Sequence, residues 1–356
     1  MAKRICYIHI GPHKTGTSAI QWFLKENRGE LLKQSCFVPE SGANQGGHHA
    51  IVRQLCGQDV PDHQQLAAAK FARSLEETPC KAVVISSEVL DGLLRRRECA
   101  KALFNRIGEL NLDPKLVLFP RNQPQSINSR YAQVVKDCRC SEPFEAFAQA
   151  LIQRLSFGYS HLIELADTFD AELIACPFTG ETIAHSIIPE FLQAIGIDPS
   201  ELPDTNVRRN QAAGPFTIAV GRRISGLIAG PGKRPTWLQA GRCKKKLAAY
   251  LEKKGWSDTG YCGLTTALAG HIEREWRPDN DAFAQRVWGR SWTEIFASDI
   301  GREFSPNDFD MSKPDESTER RLCQAVCEMT EAVKEIMLDP ALAIQASWND
   351  LVQRAG

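Results

Sequence analysis

The chain has 356 residues, 43% of them hydrophobic, and its 43 Lys plus Arg are balanced by 43 Asp plus Glu. That length and apolar content suffice to bury a sizeable core, while a formal net charge of zero gives no overall field that would draw the chain to nucleic acid or an anionic membrane. Any anion site must be local. No stretch approaches the ~20 apolar residues of a membrane span, and the apolar run after Met1 is too short for a secretion signal, so the expected compartment is cytoplasmic.

The first element organises the rest. Ile5, Tyr7, Ile8 and Ile10 read as a short buried strand, Gly11 to Gly16 as a glycine-bracketed loop, and Thr17 or Ser18 as a helix start. A strand that passes through such a loop into a helix N-terminus aims backbone N–H groups and a helix dipole at one point, which suits phosphate or sulfate. A nucleoside triphosphatase loop would carry Lys directly after its second Gly, followed by a hydroxyl for magnesium. Here Thr17 stands in that place and the cation has moved inside the loop, to Lys14. Lys14 with Thr15, Thr17 and Ser18 offers an ammonium, hydroxyls and backbone donors without an evident magnesium pair. A transferring sulfuryl group carries less charge than a phosphoryl group and depends less on a metal.

The segment Pro12-His13-Lys14-Thr15-Gly16-Thr17-Ser18 resembles the 5'-phosphosulfate loop of the sulfotransferase family, PKTGTT or PKTGTS, with His13 inserted. The resemblance implies a P-loop-like α/β fold and metal-free transfer of a sulfuryl group from 3'-phosphoadenosine 5'-phosphosulfate to an acceptor hydroxyl, first of all on a carbohydrate. It assigns His13, Lys14, Thr15, Gly16, Thr17 and Ser18 to the phosphosulfate. A turn that binds nothing is the plain alternative for the loop alone.

Further along, apolar residues from Thr17 to Leu32 predict one helix, and Cys36 to Val38 a short strand. The Gly-rich loop Ser41 to Gly47 then delivers His48 and His49 to a helix start. Adjacent histidines after such a loop are ordinarily surface residues; the sharper expectation places one beside the anion loop as a base. Lys81 to Ser87 is an apolar run of parallel-sheet type. Glu88 follows it, where ligands of open parallel sheets bind, and it reads equally as a helix N-terminal acid. Arg95 to Leu110 predicts a helix. Asp113-Pro114 is expected to break the chain before a strand Lys115 to Phe119, with Arg121 at its carboxyl end and a helix from Gln123 to Val135. An Arg followed by helical Ser can hold a second phosphate. The family's 3'-phosphate signature, an Arg and a Ser eight residues later, falls on Arg121 and Ser129, with Tyr131 following.

Helices at Phe144 to Leu155 and Tyr159 to Phe169, a strand at Ala171 to Phe178 and a helix from Thr182 stopped by Gly196 complete this part. The family's NxxxNxS element is matched by Asn206 and Asn210, but Ala212 replaces its Ser. Gly226 to Pro235 reads as a mobile loop amid Arg222, Arg223, Lys233, Arg234, Arg242 and Lys244 to Lys246, either a solvated helix face or an anion-binding lid. Trp256 to Trp292, with Asn280, resembles the family's late segment, and the tail from Ser317 is helical. Twelve scattered cysteines read as buried thiols and imply no metal.

The expected architecture is one three-layer α/β domain over 1–356, with a parallel sheet of four or five strands in a nucleotide-binding core (1–205) and a helical C-terminal part (206–356). Glu88 and His49 are the candidate bases. Intrinsic pKa favours His49, but it comes off a glycine-rich loop and must be ordered by something else, whereas a rigid strand end fixes Glu88; Glu88 is therefore preferred as the base, with His49 shaping the acceptor pocket. A nucleotide or small-molecule kinase with an atypical loop, or an inert relative acting as a binding module, are the alternatives.

Overall fold

The computed structural model describes residues 3–11, 14–40, 46–153, 158–202, 213–228, 235–256, 258 and 260–344. In chain order the elements are β1 (Arg4–Ile10), α1 (Thr17–Glu26), α2 (Arg28–Lys33), β2 (Cys36–Phe37), α3 (His49–Leu55), α4 (Ala67–Glu77), β3 (Ala82–Ser87), α5 (Leu90–Leu93), α6 (Arg97–Glu109), β4 (Leu112–Leu118), α7 (Gln123–Lys136), α8 (Phe144–Gln153), α9 (Ser160–Phe169) and β5 (Glu172–Ala175). The helices α10 (Gly180–His185), α11 (Ile188–Ala194), α12 (Pro215–Ile228), α13 (Trp237–Lys253), α14 (Thr266–Trp288), α15 (Trp292–Ile295) and α16 (Glu316–Leu338) follow. No helix of the described residues is long and apolar enough to cross a membrane.

Contacts divide the chain into two units, the first comprising Met1–Ser126, Phe157–Arg209 and Glu273–Ile300 and the second Ile127–Ser156, Asn210–Ile272 and Gly301–Gly356. The first unit holds a five-stranded sheet in the order β2-β3-β1-β4-β5, parallel throughout. Successive strand residues face opposite ways, so β1 serves two cores. Cys6, Ile8 and Ile10 pack with Ile51, Leu55, Phe71 and Leu103 from α3, α4 and α6. Tyr7, Val84 and Val117 join Ile20, Phe23 and Leu24 of α1 and Phe191 of α11 on the other face. Helices thus cover both faces, and the order of strands reverses at β1, which puts a topological switch point there.

Several expected boundaries move. β4 runs through Asp113 and Pro114, with Pro114 opposite Cys6. Proline is tolerated there because β5 begins only opposite Lys115, leaving β4 a single neighbour at Pro114. The helix expected to run to Leu32 is interrupted at Asn27, whose backbone N–H and side-chain Nδ2 both donate to the Phe23 carbonyl at 3.0 Å. The one expected from Thr182 divides into α10 and α11 at Ser186 (φ 143°) and ends as foreseen before Gly196, at φ 72°.

The second unit is helical. Its core gathers Phe216, Val220 and Ile224 of α12, Cys243 and Leu247 of α13, and Leu322, Ala325, Met329 and Val333 of α16. Beside it lies a buried charged network. Arg222, 5% exposed, meets Asp308, 3% exposed, in two parallel hydrogen bonds of 2.9 Å, and also pairs with Asp310. Tyr261 Oη donates to Asp308 at 2.6 Å, while Tyr131 Oη accepts from Arg222 at 2.9 Å and donates to the Glu142 carbonyl at 2.8 Å. This corrects the expected basic stretch: Arg222 is neither a solvated face nor a lid. Lys244 pairs with Asp137 at 3.4 Å, Arg242, Lys245 and Lys246 are exposed, α12 continues through Gly226, and Lys233 and Arg234 lie outside the described residues. Six of the twelve cysteines are buried, but Cys323 and Cys327 are exposed on α16.

Candidate functional site

The loop after β1 is built as its glycines require. Gly11 has Thr17 folded against it, and a Cβ at Gly11 would stand 2.3 Å from Thr17 Oγ1. Gly16 takes φ 75° and lies over Ile187, whose Cγ2 is 3.0 Å from the place of a Cβ. Lys14 shares the left-handed conformation at φ 72°, an uncommon one for a residue with a side chain. Lys14 is half-buried, Thr15 and Thr17 are buried, and Ser18 is exposed. α1 opens with no acid in its first turn and no side-chain cap bond among the described residues. The peptides of Ala19 and Ile20 turn back to the Gly16 carbonyl, at 2.9 and 3.3 Å. An uncapped, acid-free helix start behind a Gly-rich turn is the local chemistry of an anion cradle.

Around that turn three buried polar atoms, His9 Nε2, Thr17 Oγ1 and Gln21 Nε2, have no hydrogen-bond partner among the described residues. His9 is 0% exposed and lies between the rings of Phe119 and Phe191, with Nδ1 at 2.7 Å from Ser86 Oγ. Burial drives its pKa down to about 3, so it is neutral.

The histidine pair separates into two roles. His48, expected at the surface or beside the loop, is 0% exposed. Its Nδ1 accepts from the Ser86 peptide at 3.1 Å and its Nε2 donates to the Pro39 carbonyl at 2.8 Å, a pattern that fixes the neutral tautomer. Burial lowers its pKa to about 4. His49, partly buried at the first turn of α3, has Nδ1 at 2.8 Å from Ser87 Oγ. Its ring edge lies over Gly47, where a Cβ would come within 2.7 Å of both Cε1 and Nε2. Gly46, at φ 94°, touches the Gln21 carbonyl, 2.5 Å from the place of its Cβ. Two consecutive glycines therefore seat this segment on α1 and leave room for the imidazole.

Ser87 is opposite Ile10 in the ladder, so Glu88, half-buried, leaves the sheet beside Gly11. Arg121 is partly buried three residues beyond β4, and its Nη1 donates to the Lys14 carbonyl at 2.8 Å. Thus the first unit brings together Lys14 with Arg121, and His49 with Ser87. Ser129 is on α7 in the second unit, where Tyr131 is part of the buried network with Arg222. His13, Asn206, Asn210, Gln211 and Ala212 lie outside the described residues. Asn280 is buried and exchanges hydrogen bonds of 2.7 and 2.8 Å with Gln123. Unforeseen were His9, Tyr159 and Phe178; a histidine in an otherwise apolar strand was the one signal for them. Comparison with known proteins finds no matching family model, no matching curated protein and no matching solved structure.

Proposed function

We propose that the first unit binds 3'-phosphoadenosine 5'-phosphosulfate and transfers its sulfuryl group to an acceptor hydroxyl, on a carbohydrate. The observation that supports this is the loop at the switch point: its cation is Lys14 inside the turn, it has Thr17 where a triphosphatase has Lys, and it runs into an uncapped helix start. Lys14 and the N–H groups of the loop and α1 hold the 5'-phosphosulfate. As the acceptor oxygen forms its bond to sulfur, the bond from sulfur to the 5'-phosphate oxygen breaks, and Lys14 meets the charge left on that phosphate. The acceptor proton goes to a base.

For that base, the preference for Glu88 rested on His49 lacking an ordering partner. Ser87 and Gly47 supply the order, and the better intrinsic pKa then favours His49. His49→Asn is expected to lower turnover by about 10²- to 10⁴-fold with bisphosphate binding retained, and Glu88→Gln to lower it far less; the reverse pattern would return the role to Glu88. Gly47→Ala pushes the ring aside and is expected to cost on the order of 10²-fold in turnover.

The deciding binding experiment is a thermal-shift comparison of adenosine 3',5'-bisphosphate with ADP plus magnesium. Ligand at 100 times its dissociation constant stabilises by about 2.7 kcal/mol. A shift with the bisphosphate, and activity that survives EDTA, support sulfuryl transfer. A shift with ADP and magnesium alone, or activity abolished by chelator and restored by magnesium, selects the kinase reading instead.

A further inference from the structure

The sequence pattern assigns Arg121 to a second anion cradle, distinct from the loop. Its surroundings in the first unit give it another task. One hydroxyl holds its backbone from both sides: Tyr159 Oη donates to the Arg121 carbonyl at 3.0 Å and accepts from the Arg121 peptide N–H at 3.0 Å. Tyr159 is in turn stacked on Trp292, 5.7 Å between centroids at 23°. Its own peptide donates to Asp279 at 2.6 Å, and Gly158 leaves space for that carboxylate, which a Cβ would approach to 2.6 Å. With its backbone fixed, Arg121 crosses the ring of Phe178, 5.4 Å from the centroid, and Nη1 reaches the Lys14 carbonyl. Phe178 is placed by the hydrogen bond that its peptide N–H donates to the Pro120 carbonyl at 2.8 Å.

The carbonyl so held belongs to a residue that needs holding. A left-handed backbone is costly for a residue with a side chain, and it persists only where the surroundings over-determine it. Lys14 adopts it two residues before Gly16 does the same. A charged donor makes a stronger hydrogen bond than a neutral one. Burial lowers the guanidinium pKa to about 10, with the Asp299 carboxylate acting against it, so the group is still protonated at neutral pH.

We propose that Arg121 is a positioning residue of the loop: by fixing the Lys14 carbonyl it sets the direction of the following N–H groups and of the Lys14 side chain. The proposal rests on the reading of Gly11 to Ser18 as the anion cradle. It moves the effect of Arg121 from the 3'-phosphate to the 5' anion.

The experiment titrates adenosine 5'-monophosphate, adenosine 3'-monophosphate and adenosine 3',5'-bisphosphate into the parent protein, Arg121→Ala and Arg121→Lys. Amide hydrogen exchange is measured on the same three proteins without ligand. Expected for Arg121→Ala is an equal loss, tenfold or more, for the 5'-monophosphate and the bisphosphate, with the 3'-monophosphate unchanged. The amides from Lys14 to Ser18 should exchange at least tenfold faster while those of Ile5 to Ile10 keep their protection. Arg121→Lys, which keeps a charged donor, should recover part of both effects, and it carries the comparison alone if the alanine variant does not fold. A loss confined to the two 3'-phosphorylated nucleotides, or unchanged exchange in the loop, overturns the proposal. If the parent protein binds none of the nucleotides, sulfuryl transfer fails as a reading and the exchange data alone decide the role of Arg121.

Discussion

Two buried polar clusters, one in each unit, differ in how far they are satisfied. In the second, Arg222, Asp308, Tyr131 and Tyr261 are matched donor to acceptor. In the first, His9 Nε2, Thr17 Oγ1 and Gln21 Nε2 are buried without partners among the described residues. A satisfied network is an anchor, whose removal costs folding energy. Unpaired buried donors and acceptors beside a strained loop are expected where a site keeps capacity for a ligand. Stability and binding should therefore respond to different substitutions in the two places.

The largest effect belongs to the second unit. Asp308→Ala takes from the buried Arg222 its two-bond partner and from Tyr261 its acceptor, leaving Arg222 only Asp310 as a counter-charge, and should cost about 3–5 kcal/mol, read from urea unfolding, without weakening nucleotide binding at the first unit. The double change Arg222→Met with Asp308→Leu should lose much less, because no charge is left unpaired. A mild Asp308→Ala would dissolve the contrast.

Next comes pH. His9, His48 and His161 are held neutral, at about 3, about 4 and about 4, below the ordinary histidine value of about 6.5 in the unfolded chain. Below about 6.5 the unfolded state binds the extra protons, so stability falls as pH drops through the window down to about 4. The slope is about 1.4 kcal/mol per pH unit for each histidine, or about 4 for the three. His48→Asn should remove about a third of that slope in a series of melts between pH 6.5 and 4.5. An unaltered slope would clear His48 of the effect.

The smallest change in stability is expected from Thr17→Val. It removes a hydroxyl without a partner among the described residues and keeps the shape, so it should shift stability by less than about 0.5 kcal/mol while lowering affinity for the bisphosphate nucleotide. A large loss of stability would mean that Thr17 is already satisfied within the fold.

What could be read in the sequence was local. The strand, loop and helix from Arg4 to Glu26, the apolar strand ending at Ser87 and the placement of Glu88 and Arg121 at strand ends all follow from short-range pattern, and each stands close to where it was expected. The strand through Pro114 was hidden because proline's cost depends on which neighbour is present, and a sequence does not display neighbours. His48 was misread because its partners, Pro39 and Ser86, come from separate elements. Arg222 was misread for the same reason, as Asp308 lies 86 residues away. In the site, residue types were legible and orientation was not. Nothing in the spacing of Lys14 and Arg121 says that one holds the other's backbone.

His48 has one further consequence. β2 pairs with β3 only as far as Phe37 and Val83, and beyond that point no strand of the described residues continues along the outer rim of β3. At Ser86 the gap is closed by a single residue: the His48 peptide donates to the Ser86 carbonyl at 2.8 Å, and the imidazole accepts from the Ser86 peptide. One histidine thus stands in for a missing length of strand. Exposed strand rims recruit other chains; here the Ser86 carbonyl and N–H are both taken up by His48, and the second of these bonds lasts only while Nδ1 is free to accept.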